Sequence, residues 1–141
     1  VVAALGVRGA ILPADVIVAS NCYVEDYVPY DAVLGFTDVF VMNSGYGGFQ
    51  HSLQHGVPLV MTGEFADKLE ISARGEWAGV AVNLRTTTPT PEVIKEAVEK
   101  VLGDEKYKKR AVALQEELKQ YNVFDEVEKS IDELAAKLST Q

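Results

Sequence analysis

Residues 39–68, VFVMNSGYGGFQHSLQHGVPLVMTGEFADK, decide the fold. Val39-Phe40-Val41-Met42 is an unbroken apolar run, the pattern of a strand covered on both faces in a parallel sheet. Asn43-Ser44-Gly45-Tyr46-Gly47-Gly48 breaks it with three glycines in four residues, so the chain can turn sharply and leave backbone N–H groups open. Phe49 to His55 suits a short helix capped by Gly56, and Val57-Pro58-Leu59-Val60-Met61 opens a second buried strand. Where the glycine loop meets the helix, unpaired N–H donors and the positive end of the helix dipole satisfy the physical requirement for holding a phosphate, with neither lysine nor metal. Glycines between a strand and a helix also serve plain tight packing, so this pattern alone leaves both uses open.

Outward from this stretch the chain keeps alternating strand and helix. Asp15-Val16-Ile17-Val18-Ala19 is β-branched and continuous and predicts a central parallel strand. Ser20 to Asp26 then reads as a loop at its C-terminal end, the side on which open α/β sheets bind ligands. Val1 to Ile11 predicts a short helix, and Asp31 to Phe36 a brief helix or turn. Thr62 to Lys68 is a second loop on the ligand side, with Asp67 a candidate N-cap for a helix through Leu69, Ile71 and Ala73. Gly79 to Leu84 reads as a strand. Thr90 caps a helix with Pro91 in its first turn and an apolar stripe of Val93, Ile94, Ala97, Val98, Val101 and Leu102. Two further amphipathic helices follow, on Tyr107, Ala111, Leu114, Leu118 and Tyr121, and on Phe124, Val127, Ile131, Leu134 and Leu138. The fold class is α/β, with a Rossmann-like parallel sheet flanked by helices.

With 141 residues, 48% of them hydrophobic, the chain can bury one sizeable core, and a single domain over residues 1–141 is expected. A formal net charge of −8 argues against a nucleic-acid partner, which demands a clustered basic face, but is compatible with a site for one small anion. No apolar run reaches the length of a transmembrane segment. Cys22 is the only cysteine, which excludes an intrachain disulfide and a thiolate metal cage and points to a reducing, cytoplasmic setting. The chain begins at Val1 directly in apolar sequence, so it is expected to be a piece of a longer protein. His51 and His55 stand four apart, the spacing of helical zinc ligands, but Ser52 occupies the place of a metalloprotease glutamate and no third ligand is in view; no metal is expected.

Tyr27-Val28-Pro29-Tyr30, Asp38 to Gly48, His55 to Val60 and Glu64-Phe65-Ala66-Asp67-Lys68 together resemble the donor-binding signature of the family 1 UDP-sugar-dependent glycosyltransferases. The likeness is to the fungal and bacterial branch that includes the macrolide glycosyltransferases. It is strong from about Asp15 to Leu84 and looser through the C-terminal helices. It implies the C-terminal half of a GT-B fold, a donor domain that binds a UDP-sugar, UDP-glucose first among them, for transfer of a hexose to an acceptor hydroxyl. The base that deprotonates the acceptor comes, in that family, from an N-terminal acceptor-binding domain, so the resemblance assigns no catalytic residue, cofactor or metal here. Residues 122–141 are expected to form a helix that leaves this domain and packs on that partner domain.

The resemblance also implies roles residue by residue. Tyr27 is the platform on which the uracil stacks, and the Val28 backbone pairs with the base edge; family members usually carry Trp and, three residues on, Gln, where this chain has Tyr27 and Tyr30. Asn43 stands where most members have a His that reaches the diphosphate, and asparagine can donate a hydrogen bond but carries no charge. Ser44, Gly45, Gly47 and Gly48 lie on the loop that delivers N–H groups to the phosphates. His51 stands where many members have a Glu that grips the ribose hydroxyls. Asp67 and Lys68 match an Asp-Gln pair that binds the donor sugar. The departures at Asn43 and His51 define an alternative: a degenerate, non-catalytic nucleotide-sugar module acting through a partner domain.

Overall fold

The computed structural model of the protein describes residues 1–139. The last two residues of the expected 122–141 helix lie outside the described residues. The chain divides into two units, Val1–Thr37 and Asp38–Gln141.

In the first unit, β1 (Val2–Ala4) pairs in parallel with β2 (Tyr23–Glu25), in the register Val2 with Tyr23. The Leu5 N–H donates to the Glu25 carbonyl at 2.9 Å and the Tyr23 N–H to the Val1 carbonyl at 2.9 Å, extending the ladder at both ends. Two expectations are corrected here: residues 1–11 hold a strand and its turn instead of a helix, and the loop expected over Ser20–Asp26 contains the partner strand. The run Asp15–Ala19, expected as a central strand, has no regular structure, and Ile17 in its middle is 96% exposed. β-branched residues suit a pleated, half-buried surface, but a strand exists only where its backbone is paired, and the pairing goes to two shorter segments. A single turn of helix, α1 (Tyr30–Val33), and a 3₁₀ turn (Leu34–Phe36) follow, as the sequence predicts.

The second unit is built on three parallel strands, β3 (Phe40–Met42), β4 (Leu59–Met61) and β5 (Ala81–Asn83), in the order β3-β4-β5. α2 (Tyr46–Gln54) and α3 (Lys68–Trp77) are the crossovers between them. Leu59, Val60 and Met61 are all fully buried, which explains the unbroken apolar run: each face of β4 meets its own layer. Leu59 and Met61 pack with Met42, Phe49, Leu53, Ile71 and Ala111, whereas Val60 points the other way, to Ala97, Val101 and Tyr107. Those last partners come from α4 (Pro91–Gly103) and α5 (Glu105–Leu118).

Local signals fix the element ends. The Thr90 hydroxyl accepts the Val93 N–H at 3.4 Å, with Pro91 opening α4. α2 ends in a Schellman motif on Gly56 (φ 62°): Val57 N–H donates to the Ser52 carbonyl at 3.0 Å and Gly56 N–H to Leu53 at 3.1 Å. The start of α2 differs from expectation, since the helix begins at Tyr46 and takes in Gly47 and Gly48. A methyl group on Gly48 would lie 2.9 Å from Met42 Cε, so the first turn sits against β3 closely enough for tertiary contact to outweigh the poor helix propensity of glycine. α6 (Val123–Ser139) contributes nothing to either core: its apolar stripe, with Phe124 83% exposed, is open along its length.

Candidate functional site

The C-terminal edges of β3 and β4 set two loops side by side, residues 43–45 and 62–67. Thr62 N–H donates to the Met42 carbonyl at 2.9 Å, and the Ser44 hydroxyl donates to the Thr62 carbonyl at 2.7 Å. The Ser72 hydroxyl, on the buried face of α3, lies 2.7 Å from both Ser44 Oγ and the Lys68 carbonyl, with one proton to share between them. Ser44 and Ser72 are almost wholly buried. Ser44 adopts φ 60°, a left-handed conformation rare outside glycine, held by these bonds. Its hydroxyl is thus committed to joining the loops.

Gly63, which the sequence reading did not single out, completes the junction. Its φ is 114°, and a methyl there would lie 2.8 Å from Lys68 Cδ and 3.1 Å from the Asn43 carbonyl oxygen, so only glycine lets the three approach. The Thr-Gly-Glu step after an apolar run was its one signal. Ser72 had none, being one serine in an ordinary helical pattern.

Beyond this junction α2 begins. Gly45 is its N-cap and offers no side chain, and the first intrahelical bond is Phe49 N–H to the Gly45 carbonyl at 3.1 Å. The N–H groups of Tyr46, Gly47 and Gly48 therefore have no intrahelical acceptor, and the positive end of the helix dipole lies with them. Gly47 differs from Gly48: a methyl on it would meet nothing within 4 Å. Neither backbone angle nor packing asks for glycine there.

The other expected residues fall as follows. Asn43 Oδ1 lies 3.8 Å from where a Gly45 Cβ would stand, so its side chain flanks the N-terminus of α2. Asp67 occupies the N-cap position of α3 in helical conformation with no capping bond from its side chain, which leaves the exposed carboxylate uncommitted by its own helix. The Lys68 stem covers Gly63. His51 sits in the last turn of α2, where its carbonyl faces His55 Nδ1 at 2.9 Å, and the Gln50 amide donates to the Tyr46 hydroxyl at 2.6 Å. The structure thus brings Asn43, Ser44, Gly45, Gly47, Gly48, Asp67 and Lys68 to one edge of the second unit, and places His51 one turn further along α2. In the first unit Tyr27 is 45% exposed and Tyr30 opens α1. Arg8 Cζ stands 4.3 Å from the centroid of the Tyr27 ring.

Residues 9–134 match the model of the family described as erythromycin biosynthesis protein CIII-like, C-terminal domain. UDP-glucosyltransferase 1 of Beauveria bassiana (strain ARSEF 2860) is 48% identical over 136 residues, 96% of this chain and 30% of that protein. UDP-glucosyltransferase A1 of Starmerella bombicola is 48% identical over 135 residues, 96% of this chain and 29% of that protein. Among solved structures, the glycotransferase of kitacinnamycin superposes with a TM-score of 0.67 at 31% identity, over 76% of this chain and 29% of that one. The chain spans less than a third of the length of these relatives. By fold and by sequence, the chain belongs to the family 1 UDP-glycosyltransferases, as a C-terminal domain of the erythromycin biosynthesis protein CIII-like type.

Proposed function

We propose that this chain is the UDP-sugar-binding half of a glycosyltransferase that passes a hexose, from UDP-glucose, to an acceptor hydroxyl in the cytoplasm. The observation that carries the reading is Gly47: a helical glycine, open to solvent on the side where a Cβ would stand, directly beside three uncommitted N–H groups. In an ordinary helix that position favours alanine by about 1 kcal/mol, so its glycine points to close approach by a ligand.

In the reaction the acceptor oxygen attacks the anomeric carbon while the bond to the diphosphate breaks, and negative charge grows on the leaving UDP. The N–H groups of Tyr46, Gly47 and Gly48 and the α2 dipole meet that charge with fixed donors that need no reorganisation, and no metal is required for it. Asn43 adds a neutral donor. Asp67 accepts hydrogen bonds from two hydroxyls of the sugar, which fixes the ring for in-line attack. Ser44, buried and bonded, holds the phosphate loop in place. His51, or Gln50 beside it, serves the ribose. Tyr27, with the Val28 backbone and Tyr30, takes the base. The acceptor site and the base that deprotonates the acceptor belong to an N-terminal domain, and the apolar stripe of α6 is the surface that packs on it.

Calorimetric titration with UDP and UDP-glucose tests this. Gly47→Val should abolish binding of both, because the side chain fills the space in front of the N–H groups. Asp67→Ala should weaken UDP-glucose and leave UDP unchanged. A chain that binds neither nucleotide would overturn the reading in favour of a degenerate module.

A further inference from the structure

Arg8 lies outside every residue assigned so far, yet the turn that carries it is built to a fixed position. Gly6 and Gly9, both left-handed at φ 83° and 81°, bracket it after β1. Ala10 N–H donates to the Val7 carbonyl at 3.0 Å, closing the turn, and Gly9 N–H donates to the Asp26 carboxylate at 2.6 Å. That second bond ties the turn to the residue directly before Tyr27. The Gly9 N–H first, then the Tyr27 N–H and the Arg8 charge, hold the Asp26 carboxyl below its usual range, so the tie stays ionised in mild acid. The outcome is the guanidinium 4.3 Å above the Tyr27 ring, on an exposed side chain.

A guanidinium over an aromatic face occupies a surface on which a base can stack, and its own plane is a stacking surface for bases. We propose that Arg8 is a nucleotide-binding residue: the incoming base takes the guanidinium's place on the Tyr27 ring and is covered on its other face by the displaced guanidinium. The inference rests on the reading of Tyr27 as the base platform. The displacement asks Arg8 to rise by one stacking distance, about 3.5 Å, which a long side chain on an exposed turn makes by rotation about its own bonds while the backbone stays tied to Asp26. A base held between two planes would also let Tyr27, smaller than the tryptophan usual in the family it resembles, keep the base in place.

The test is the affinity for UDP, by calorimetry, of the chain and of Arg8→Ala, Arg8→Lys, Tyr27→Ala and the Arg8→Ala/Tyr27→Ala pair. Stacking predicts that Arg8→Ala weakens UDP about fivefold, the size of a partly exposed cation–π contact. Arg8→Lys should weaken it nearly as much, because it keeps the charge and loses the plane. Arg8→Ala should cost nothing further once Tyr27 is alanine. Unchanged or tighter binding by Arg8→Ala, or full recovery with Arg8→Lys, overturns the inference while leaving the platform standing. Unchanged UDP affinity in Tyr27→Ala, or no UDP binding by the unsubstituted chain, overturns the platform itself and the inference with it.

Discussion

Gly47 and Gly75 both sit in helices with negative φ, and alanine should affect them in opposite directions. At Gly47 an added methyl meets open space, so Gly47→Ala should raise stability by about 0.5–1 kcal/mol while weakening UDP. At Gly75 the methyl would lie 2.6 Å from Met61 Sδ and 3.1 Å from Ala81 Cβ, where α3 rests on the sheet. Overpacking there should cost about 1–3 kcal/mol without touching the proposed nucleotide site. Urea denaturation of the two variants, with UDP titration of each that folds, separates a glycine kept for its ligand from one kept for its core. Ser44→Ala provides the third case. It leaves the Thr62 carbonyl without its buried donor and keeps a left-handed backbone, and a loss of about 1–3 kcal/mol in the same denaturation assay is expected. Chemical identity shows that these residues are small or polar; whether a methyl meets Met61 or empty space is a fact of tertiary packing that no local pattern contains.

At the scale of elements, the start of α5 illustrates a paired cap. Asp104 accepts the Lys106 N–H at 3.1 Å and bridges its ammonium at 2.6 Å, and the Lys106 ammonium also lies 5.0 Å from the Tyr107 ring centroid. The Lys106 side-chain bond, followed by its backbone N–H, holds the Asp104 carboxyl below its ordinary range, and Asp104 raises Lys106 above its own. The sign follows from linkage. The Asp104 contribution is present above the unfolded carboxyl pKa and is lost as pH falls through the lowered folded value. The Lys106 contribution is present below the unfolded lysine pKa and is lost as pH rises through the raised folded value. Both operate at neutral pH. Asp104→Asn, which can still cap, should lower the melting temperature slightly at pH 7 and not at all at a pH acid enough to protonate Asp104, as read by circular dichroism.

Which elements were legible follows from how each is held. β3, β4 and the helices from α2 onward were readable because their burial pattern, their caps at Thr90 and Gly56 and their 3.6-residue stripes are local properties. The loops at 43–45 and 62–67 were readable in position because glycines and polar residues interrupt the apolar runs there, whereas residues 46–48, which read as loop, form the first turn of α2. β1 and β2 were not, since two three-residue strands stand on each other's backbone, and Val2 and Tyr23 are 21 positions apart. The apolar run at Asp15–Ala19 was the louder signal and carried no pairing behind it.

At the scale of the whole molecule, α6 is the test of where stability resides. All its described apolar side chains are exposed, so deleting residues 123–141 should leave the melting temperature of the remainder within about 2 °C, because side chains that stay largely in water contribute little to unfolding. The two residues at the middle of the sheet make the opposite case. Val60 and Met61 are bonded neighbours, yet β4 works as a wall with a separate compartment on either side, one filled by α4 and Tyr107, the other by Phe49, Leu53 and Ile71. Adjacent positions usually interact when both are changed. Here a void opened at Val60 cannot be refilled by side chains that surround Met61, so the two losses should simply add, and a damaged compartment toward α4 would leave the packing beneath the loops 43–45 and 62–67 as it was.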